Sequence, residues 1–385
     1  MASAIDQDLT FLRQAIRLAM NGRGGVEPNP MVGCLLVRNG QVIGRGFHRR
    51  FGGPHAEPQA IADAHLHGQA TCGATAYVTL EPCCHTSKKT PPCVPVLIEA
   101  QVSRVVVACS DPNPQVSGRG LEQLRAAGIE VSAGIMEAEG RQLIAPYIAG
   151  IVHRRPYVTL KWAQSADGKV AGPAGKRTQI SNAASMRLVQ QLRARSDAIL
   201  VGVETVLKDD PLLTARDVEN ARPLIRCVVD TNLRLPAESR LIKTTDQGRI
   251  VLYCSRDAFR TRPDAVQRLV SGGVLVVPTG TDSSGRIALP DVLHDLYARG
   301  ATHLLVEGGP TVAKAFIAQN LADRAWVFES TMRIESPTAP AAPRVEYPAT
   351  GMADVEGDRL TEHLNPQSSV HFALEQSADW VLRTA

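Results

Sequence analysis

Two short runs of this 385-residue chain hold side chains able to bind a metal and move protons. They are His55-Ala56-Glu57, and Pro82-Cys83-Cys84-His85 continuing to Thr90-Pro91-Pro92-Cys93. Imidazole and thiolate are ligands that Zn²⁺ prefers, and three of them leave the fourth tetrahedral position to water, which separates a catalytic zinc from a closed structural one. His55, Cys83 and Cys93 make up such a set. Bound zinc lowers the pKa of that water towards about 7. Glu57, two residues past His55 near the start of a helix, is close enough to take the water's proton and pass it to a departing amine. The chemistry implied is hydrolytic deamination.

An H-x-E run followed by P-C-x-x-C is the signature of zinc deaminases, in which the Glu is not a ligand. Here nine residues, not two, separate Cys83 from Cys93, so the second thiolate returns through a loop that holds Lys88 and Lys89. Cys84 competes for the first ligand position. Cys83 is preferred because it directly follows Glu81-Pro82 at a strand end, where the backbone can turn a thiolate towards a helix N-terminus. A closed site with His85 as fourth ligand is the alternative.

These residues need a scaffold, and the length exceeds what one core usually serves. Two α/β domains are expected, 1–150 and 151–385. Hydrophobic residues at 44% and charged residues at 21% suit buried cores. The net charge is only +4, aromatics are 4%, and His48 to Phe51 is the sole basic aromatic cluster. That speaks weakly against a nucleic-acid partner, which would need a basic groove with stacking aromatics, and a small anionic substrate fits the charge equally well. The first 30 residues include Asp6, Asp8 and Glu27 without a long apolar run. No membrane association and a cytoplasmic location are expected. Cys34, Cys72, Cys109, Cys227 and Cys254 are scattered singly, so only Cys83, Cys84 and Cys93 cluster.

In the first domain, strands over 31–37 and 41–47 flank the turn dipeptide Asn39-Gly40. A helix over 55–67 follows, then strand 76–80, helix 93–100, strand 104–109, helix 121–127 closed by Gly128, and strand 129–133. The second domain shows strands at 157–163, 198–203, 224–229, 249–253, 273–277 and 303–306 with helices between several, which predicts a mainly parallel sheet covered on both faces. Glu335 to Pro348 reads as a Pro- and Ala-rich loop before one last strand near 379–383.

The chain resembles the bifunctional riboflavin biosynthesis deaminase/reductase family. The resemblance is carried by Pro28-Asn29-Pro30-Met31-Val32-Gly33, Pro54-His55-Ala56-Glu57, Thr79-Leu80-Glu81-Pro82-Cys83, Thr90-Pro91-Pro92-Cys93, Asp111-Pro112-Asn113-Pro114-Gln115-Val116 and Gly118-Arg119-Gly120. It implies a cytidine-deaminase-like N-terminal domain acting on 2,5-diamino-6-ribosylamino-4-pyrimidinone 5′-phosphate. It also implies a dihydrofolate-reductase-like C-terminal domain that reduces the ribose to ribityl with NADPH. Asn29 and His48 then sit where the family contacts the pyrimidine and ribose-phosphate parts, and Lys89 where it binds phosphate. Family loops are one residue shorter between the two Cys.

In the second domain the resemblance runs through Arg155-Pro156-Tyr157-Val158, Lys161, Ser165-Ala166-Asp167-Gly168, Leu192-Arg193, 197–202, 205–211 and Glu307-Gly308-Gly309-Pro310. It implies cofactor contacts at Ala163, Thr205, Asp209, Gly308, Gly309, Pro310 and Thr311, and substrate contacts at Arg193, Leu213, Arg216 and Glu307. Two glycines before a helix let backbone N–H groups approach a cofactor phosphate. Departures occur as well. Arg177, Thr178 and Gln179 stand before Ile180-Ser181, where the family usually has a Ser and a Trp before Ile-Thr. Arg324 replaces an acidic residue after Asp323, and a Pro-Leu-Leu-Gly-like run is missing. Either this site is remodelled or the second domain is a non-reducing module beside a working deaminase. A homo-oligomer, most simply a dimer, is the assembly the family suggests.

Overall fold

In the computed structural model of the chain, Asn39 and Gly40 take φ of 53° and 72°, as the tightest hairpin turn requires. They join β1 (Gly33–Arg38) to β2 (Gln41–Phe47). The structure describes residues 4–85, 90–218, 221–368 and 370. The chain divides into two units, Met1–His153 and Arg154–Ala385.

The first unit opens with α1 (Ala4–Ala19) ahead of the hairpin. After it come α2 (Ala56–Leu66), β3 (Thr75–Leu80), α3 (Cys93–Glu99), β4 (Arg104–Cys109), α4 (Arg119–Ala126) and β5 (Glu130–Ala133). It closes with α5 (Glu137–Leu143) and α6 (Ala145–His153). The sheet order is β2-β1-β3-β4-β5. The first two pairings are antiparallel and the last two parallel. Helix α2 lies on β2 because that strand has glycines beneath it. A Cβ on Gly46 would stand 2.1 Å from the Ala56 carbonyl oxygen, and one on Gly44 2.3 Å from that of Ala60. Backbone-to-backbone packing of this kind fixes the start of α2, and with it His55 and Glu57, against the sheet.

The second unit begins with β6 (Tyr157–Gln164), α7 (Ala183–Ala194), β7 (Ala198–Gly202), α8 (Val203–Asp209) and β8 (Ile225–Val229). It continues through α9 (Arg240–Lys243), β9 (Ile250–Ser255), α10 (Arg256–Thr261), α11 (Pro263–Ser271) and β10 (Val274–Thr279). Then come α12 (Leu289–Ala298), β11 (His303–Val306), α13 (Pro310–Ala318), β12 (Arg324–Glu329), β13 (Ala349–Val355) and β14 (Asp358–Leu364). The sheet order is β10-β9-β8-β7-β11-β6-β12-β14-β13. Only the β12–β14 and β14–β13 pairings are antiparallel. Strand β7 shows why this sheet is covered on both faces. Ile199 and Val201 enter one hydrophobic cluster, while Ala198 and Leu200 enter another. The hairpin β13–β14 is an element the sequence reading placed inside no strand, and the strand expected near 379–383 lies outside the described residues.

Candidate active site

Three elements deliver the metal-binding set. His55 is the N-cap of α2, Cys83 follows β3, and Cys93 opens α3. His55 Nδ1 lies 3.5 Å from Cys83 Sγ and 3.4 Å from Cys93 Sγ. An N–S edge of about 3.5 Å is what Zn–N and Zn–S bonds of ordinary length give in a tetrahedron. The three ligand atoms lie within 4.8 Å of one another, and neither Cys84 nor His85 belongs to the group. Cys84 instead packs at the edge of the apolar core, with Sγ 3.9 Å from the Gln115 carbonyl oxygen. The long Cys83–Cys93 loop does not disturb the set, because Cys93 N and Val94 N both donate to the Cys83 carbonyl, at 2.9 and 3.3 Å. Hydrogen bonding to Cys83, then burial, push the Cys93 thiol well up. Two thiolates side by side here therefore need a cation, and the donor set fits zinc.

Glu57 is 2% exposed and its Oε2 has no hydrogen-bond partner. Burial first, then the nearby Cys83, raise its pKa. A buried carboxylate oxygen without a partner, beside an open metal position, is equipped to hold a proton in transit. On the other side, His48 has its Nδ1 3.0 Å from the Pro54 carbonyl and its Nε2 3.2 Å from Asn29 Nδ2. A carbonyl can only accept, so Nδ1 carries the proton and Nε2 accepts from Asn29. Burial lowers the His48 pKa and keeps the ring neutral. Asn29 and His48 are thus brought together beside His55, whose ring centroid is 5.2 Å from that of His48. Lys89, with Lys88, lies outside the described residues.

Sequence reasoning overlooked Glu81. Its carboxylate accepts from the backbone N–H groups of Asp111, Gly118 and Gly120 at 3.3, 3.0 and 3.0 Å. It thereby ties the 111–120 loop behind Cys83. Gly120 has to be glycine, since a Cβ there would stand 2.2 Å from the Pro82 carbonyl oxygen.

In the second unit a cavity of about 1250 Å³ is lined by Ala163, Thr205, Asp209, Gly308, Gly309, Pro310 and Thr311, and also by Arg193, Arg216 and Glu307. Pockets for a single small ligand run to roughly 300–1000 Å³, so this space has room for two ligands. Gly309 N-caps α13, and its face is open, with only Thr205 Oγ1 3.9 Å from a Cβ position. Gly308 serves packing, because a Cβ there would meet Val312 at 2.8 Å. Leu213 is 2% exposed and belongs to the hydrophobic core, so its side chain is not part of the lining.

Arg193 pairs with Glu307 through two bonds of 2.7 and 2.8 Å and also donates to the Thr214 carbonyl at 3.0 Å. Burial pushes Glu307 up, but Arg193, Lys161 and Arg216 outweigh it and leave the carboxyl below its usual range. Lys161, a second residue the sequence reading gave no role, is a half-buried amine in the lining whose pKa is lowered by desolvation. Arg177, Thr178 and Gln179 line the same cavity. Arg324 does not. It is buried between Tyr157 and Trp326, 5.9 and 5.0 Å from their ring centres, with its Nη1 3.5 Å from Glu362 Oε2. That departure is a matter of packing.

A family profile described as the cytidine and deoxycytidylate deaminase zinc-binding region matches residues 5–109, and one described as the RibD C-terminal domain matches 156–330. The riboflavin biosynthesis protein RibD of Aquifex aeolicus is 39% identical over 323 residues, 83% of this chain and 86% of that protein. That of Escherichia coli is 38% identical over 334 residues, 84% and 87%. The Thermotoga maritima structure described as a diaminohydroxyphosphoribosylaminopyrimidine deaminase/5-amino-6-(5-phosphoribosylamino)uracil reductase superposes with a TM-score of 0.80. It is 34% identical and covers 94% of this chain and 99% of that one. Acinetobacter baumannii RibD also gives 0.80, at 32% identity over 94% and 100%. Similarity runs through both halves and does not favour a deaminase-only chain. The chain belongs to the RibD family of riboflavin biosynthesis proteins, bifunctional enzymes that join a zinc-binding deaminase domain to a reductase domain.

Proposed function

We propose that the first unit removes an amine from 2,5-diamino-6-ribosylamino-4-pyrimidinone 5′-phosphate by hydrolysis and that the second reduces the ribosyl group of the product to ribityl with NADPH. The observation that carries the first step is the His55–Cys83–Cys93 triangle beside the unpartnered Oε2 of Glu57. These three residues would hold Zn²⁺, which when bound supplies an acidified water as nucleophile. Glu57 takes a proton at Oε2 and returns it to the leaving amine. Asn29 and His48, mutually hydrogen-bonded, orient the pyrimidine. Lys89 takes the phosphate in the same reading.

Reduction of a ribosylamine requires hydride at C1′ and a proton at the ring oxygen as the C1′–O bond breaks. Gly308, Gly309, Pro310, Thr311, Thr205, Asp209 and Ala163 would hold NADPH, which when bound would supply the hydride. Lys161, half-buried and acting on Glu307, hands over the proton, while Arg193, Arg216 and Glu307 hold the sugar phosphate, with the Leu213 segment behind them. A homodimer is carried by the resemblance. Cytoplasmic residence is supported by eight cysteines that are all free thiols, as suits a reducing compartment.

The test is incubation of the full chain with the diaminopyrimidine ribosyl phosphate, with and without NADPH, and analysis of products by mass. Deaminated product without NADPH and deaminated, reduced product with it are expected. Glu57→Gln should retain zinc and lose deamination by about 10²-fold or more, while still reducing deaminated product. Undiminished ammonia release from that variant would overturn the assignment of Glu57.

A further inference from the structure

The cavity of the second unit has an excess of positive charge with a definite location. Seven basic and four acidic side chains line it. Most of the basic groups are compensated. Arg193 pairs with Glu307, and Lys161 and Arg216 act on the same carboxylate. Arg234 pairs with Glu204, and Arg286 faces Asp282. Arg177 and Lys208 remain, and among the described residues neither has a carboxylate partner.

Lys208 reaches the stretch of the lining that carries Arg177. Lys208 Nζ lies 3.0 Å from the position a Cβ on Gly175 would take, two residues before Arg177, and Gly175 itself lines the cavity at φ 78°. Their place relative to the cofactor cradle is also set. Thr205 Oγ1 faces Gly309 at the N-cap of α13. Lys208 follows Thr205 by three residues on α8, about 4.5 Å farther along the helix axis. A cation one turn beyond a diphosphate cradle can reach a phosphate on the adenosine ribose, and an unpaired Arg–Lys pair is suited to a dianionic monoester.

We propose that Arg177 and Lys208 form a subsite for a phosphate monoester, the 2′-phosphate of the dinucleotide cofactor, and so make the second unit prefer NADPH to NADH. The proposal rests on the reductase reading given above and deepens it. The substrate also carries a phosphate monoester, so the test separates the two sources.

The full chain, its Arg177→Gln and Lys208→Gln variants and the double variant are titrated with NADP⁺ and with NAD⁺, and KM for the deaminated sugar phosphate is measured at saturating NADPH. The wild type should bind NADP⁺ at least about tenfold more tightly than NAD⁺. The double variant should lose that preference, with NAD⁺ affinity and substrate KM unchanged. Equal affinity of the wild type for both dinucleotides overturns the subsite, as does equal weakening of both by the double variant. A rise in substrate KM with NADP⁺ affinity intact also overturns it and assigns the pair to the substrate phosphate. Binding of neither dinucleotide to the wild type would instead sink the reductase reading itself.

Discussion

Thr90 Oγ1 stands 3.1 Å from His55 Nε2, on the edge of the ring opposite the two thiols that face Nδ1. If Nε2 carries the proton and donates it to Thr90, the Nδ1 lone pair is left pointing at the space between Cys83 and Cys93. A hydrogen bond of this kind fixes both tautomer and ring orientation of a metal-binding histidine. Thr90→Val removes it with little change in volume. Zinc affinity, measured by competition with a chromogenic chelator, should fall by about tenfold or more, and deamination at limiting zinc should fall with it. Zinc held as tightly by the variant as by the wild type would show that the threonine does not act through the metal.

Asp111 sits at the other side of the same site and connects it to pH. Burial raises its pKa to about 6, from an ordinary 3.8, although Asn113 N at 2.8 Å and the Tyr147 hydroxyl at 3.3 Å donate to Oδ1. The folded chain therefore binds this proton more tightly than the unfolded chain does. Below about pH 4 both states hold it and the carboxyl costs nothing. As pH rises from about 4 through 6 the folded state has to ionise a buried group, and stability falls by about 2–3 kcal/mol. In Asp111→Asn the side-chain oxygen still accepts both bonds and the titration is gone. Denaturant-dependent hydrogen exchange of segments from 104–153, in the metal-free full chain, should show wild type losing stability relative to the variant across that window. Parallel curves would mean that Asp111 is solvated enough to titrate normally.

The first unit was largely legible because its signals are local. The Asn39-Gly40 turn, the His55 helix start and the Cys93 helix each depend on residues adjacent in sequence, and the His-x-Glu and Cys motifs bring their own spacing. The part that was hidden depends on distant partners. Glu81 reads in sequence only as part of a motif, whereas its carboxylate collects three N–H groups from a loop 30 to 39 residues on. Helix α1 buries Phe11, Leu12, Ala15, Ile16 and Ala19 with helical spacing, a pattern present in the sequence that the sequence reading does not assign to a helix.

Strand β14 was hidden for an opposite reason. Its inward positions are Asp358, Leu360, Glu362 and Leu364, so half of the buried face is charged and the alternation does not read as apolar against polar. Both charges have partners that only the fold supplies. Asp358 accepts from Asn182 N and Ser185 Oγ at the start of α7, at 2.8 and 2.7 Å. Glu362 accepts from Trp326 Nε1 at 3.0 Å. The cofactor and substrate residues of the second unit were placed by resemblance, and local periodicity gave no hint that they share a cavity.

The Arg193–Glu307 pair joins the stability of the second unit to its chemistry, and the two contributions can be separated. Both side chains are nearly buried, 13% and 11% exposed, so removing one partner leaves the other without compensation. Glu307→Gln should destabilise the unit by about 3 kcal/mol and abolish most reductase activity while leaving deamination intact. Tryptophan fluorescence reads this unfolding selectively, because Trp162 and Trp326 are buried in the second unit and no tryptophan of the sequence precedes residue 154. Replacing both partners by apolar residues of similar size, Arg193→Met with Glu307→Leu, removes the stranded charge. It should therefore recover much of the lost stability without recovering reduction. If the double variant regains activity along with stability, the pair is a packing device and the sugar phosphate is held elsewhere. If Glu307→Gln leaves both stability and reduction unchanged, the carboxylate bears on neither.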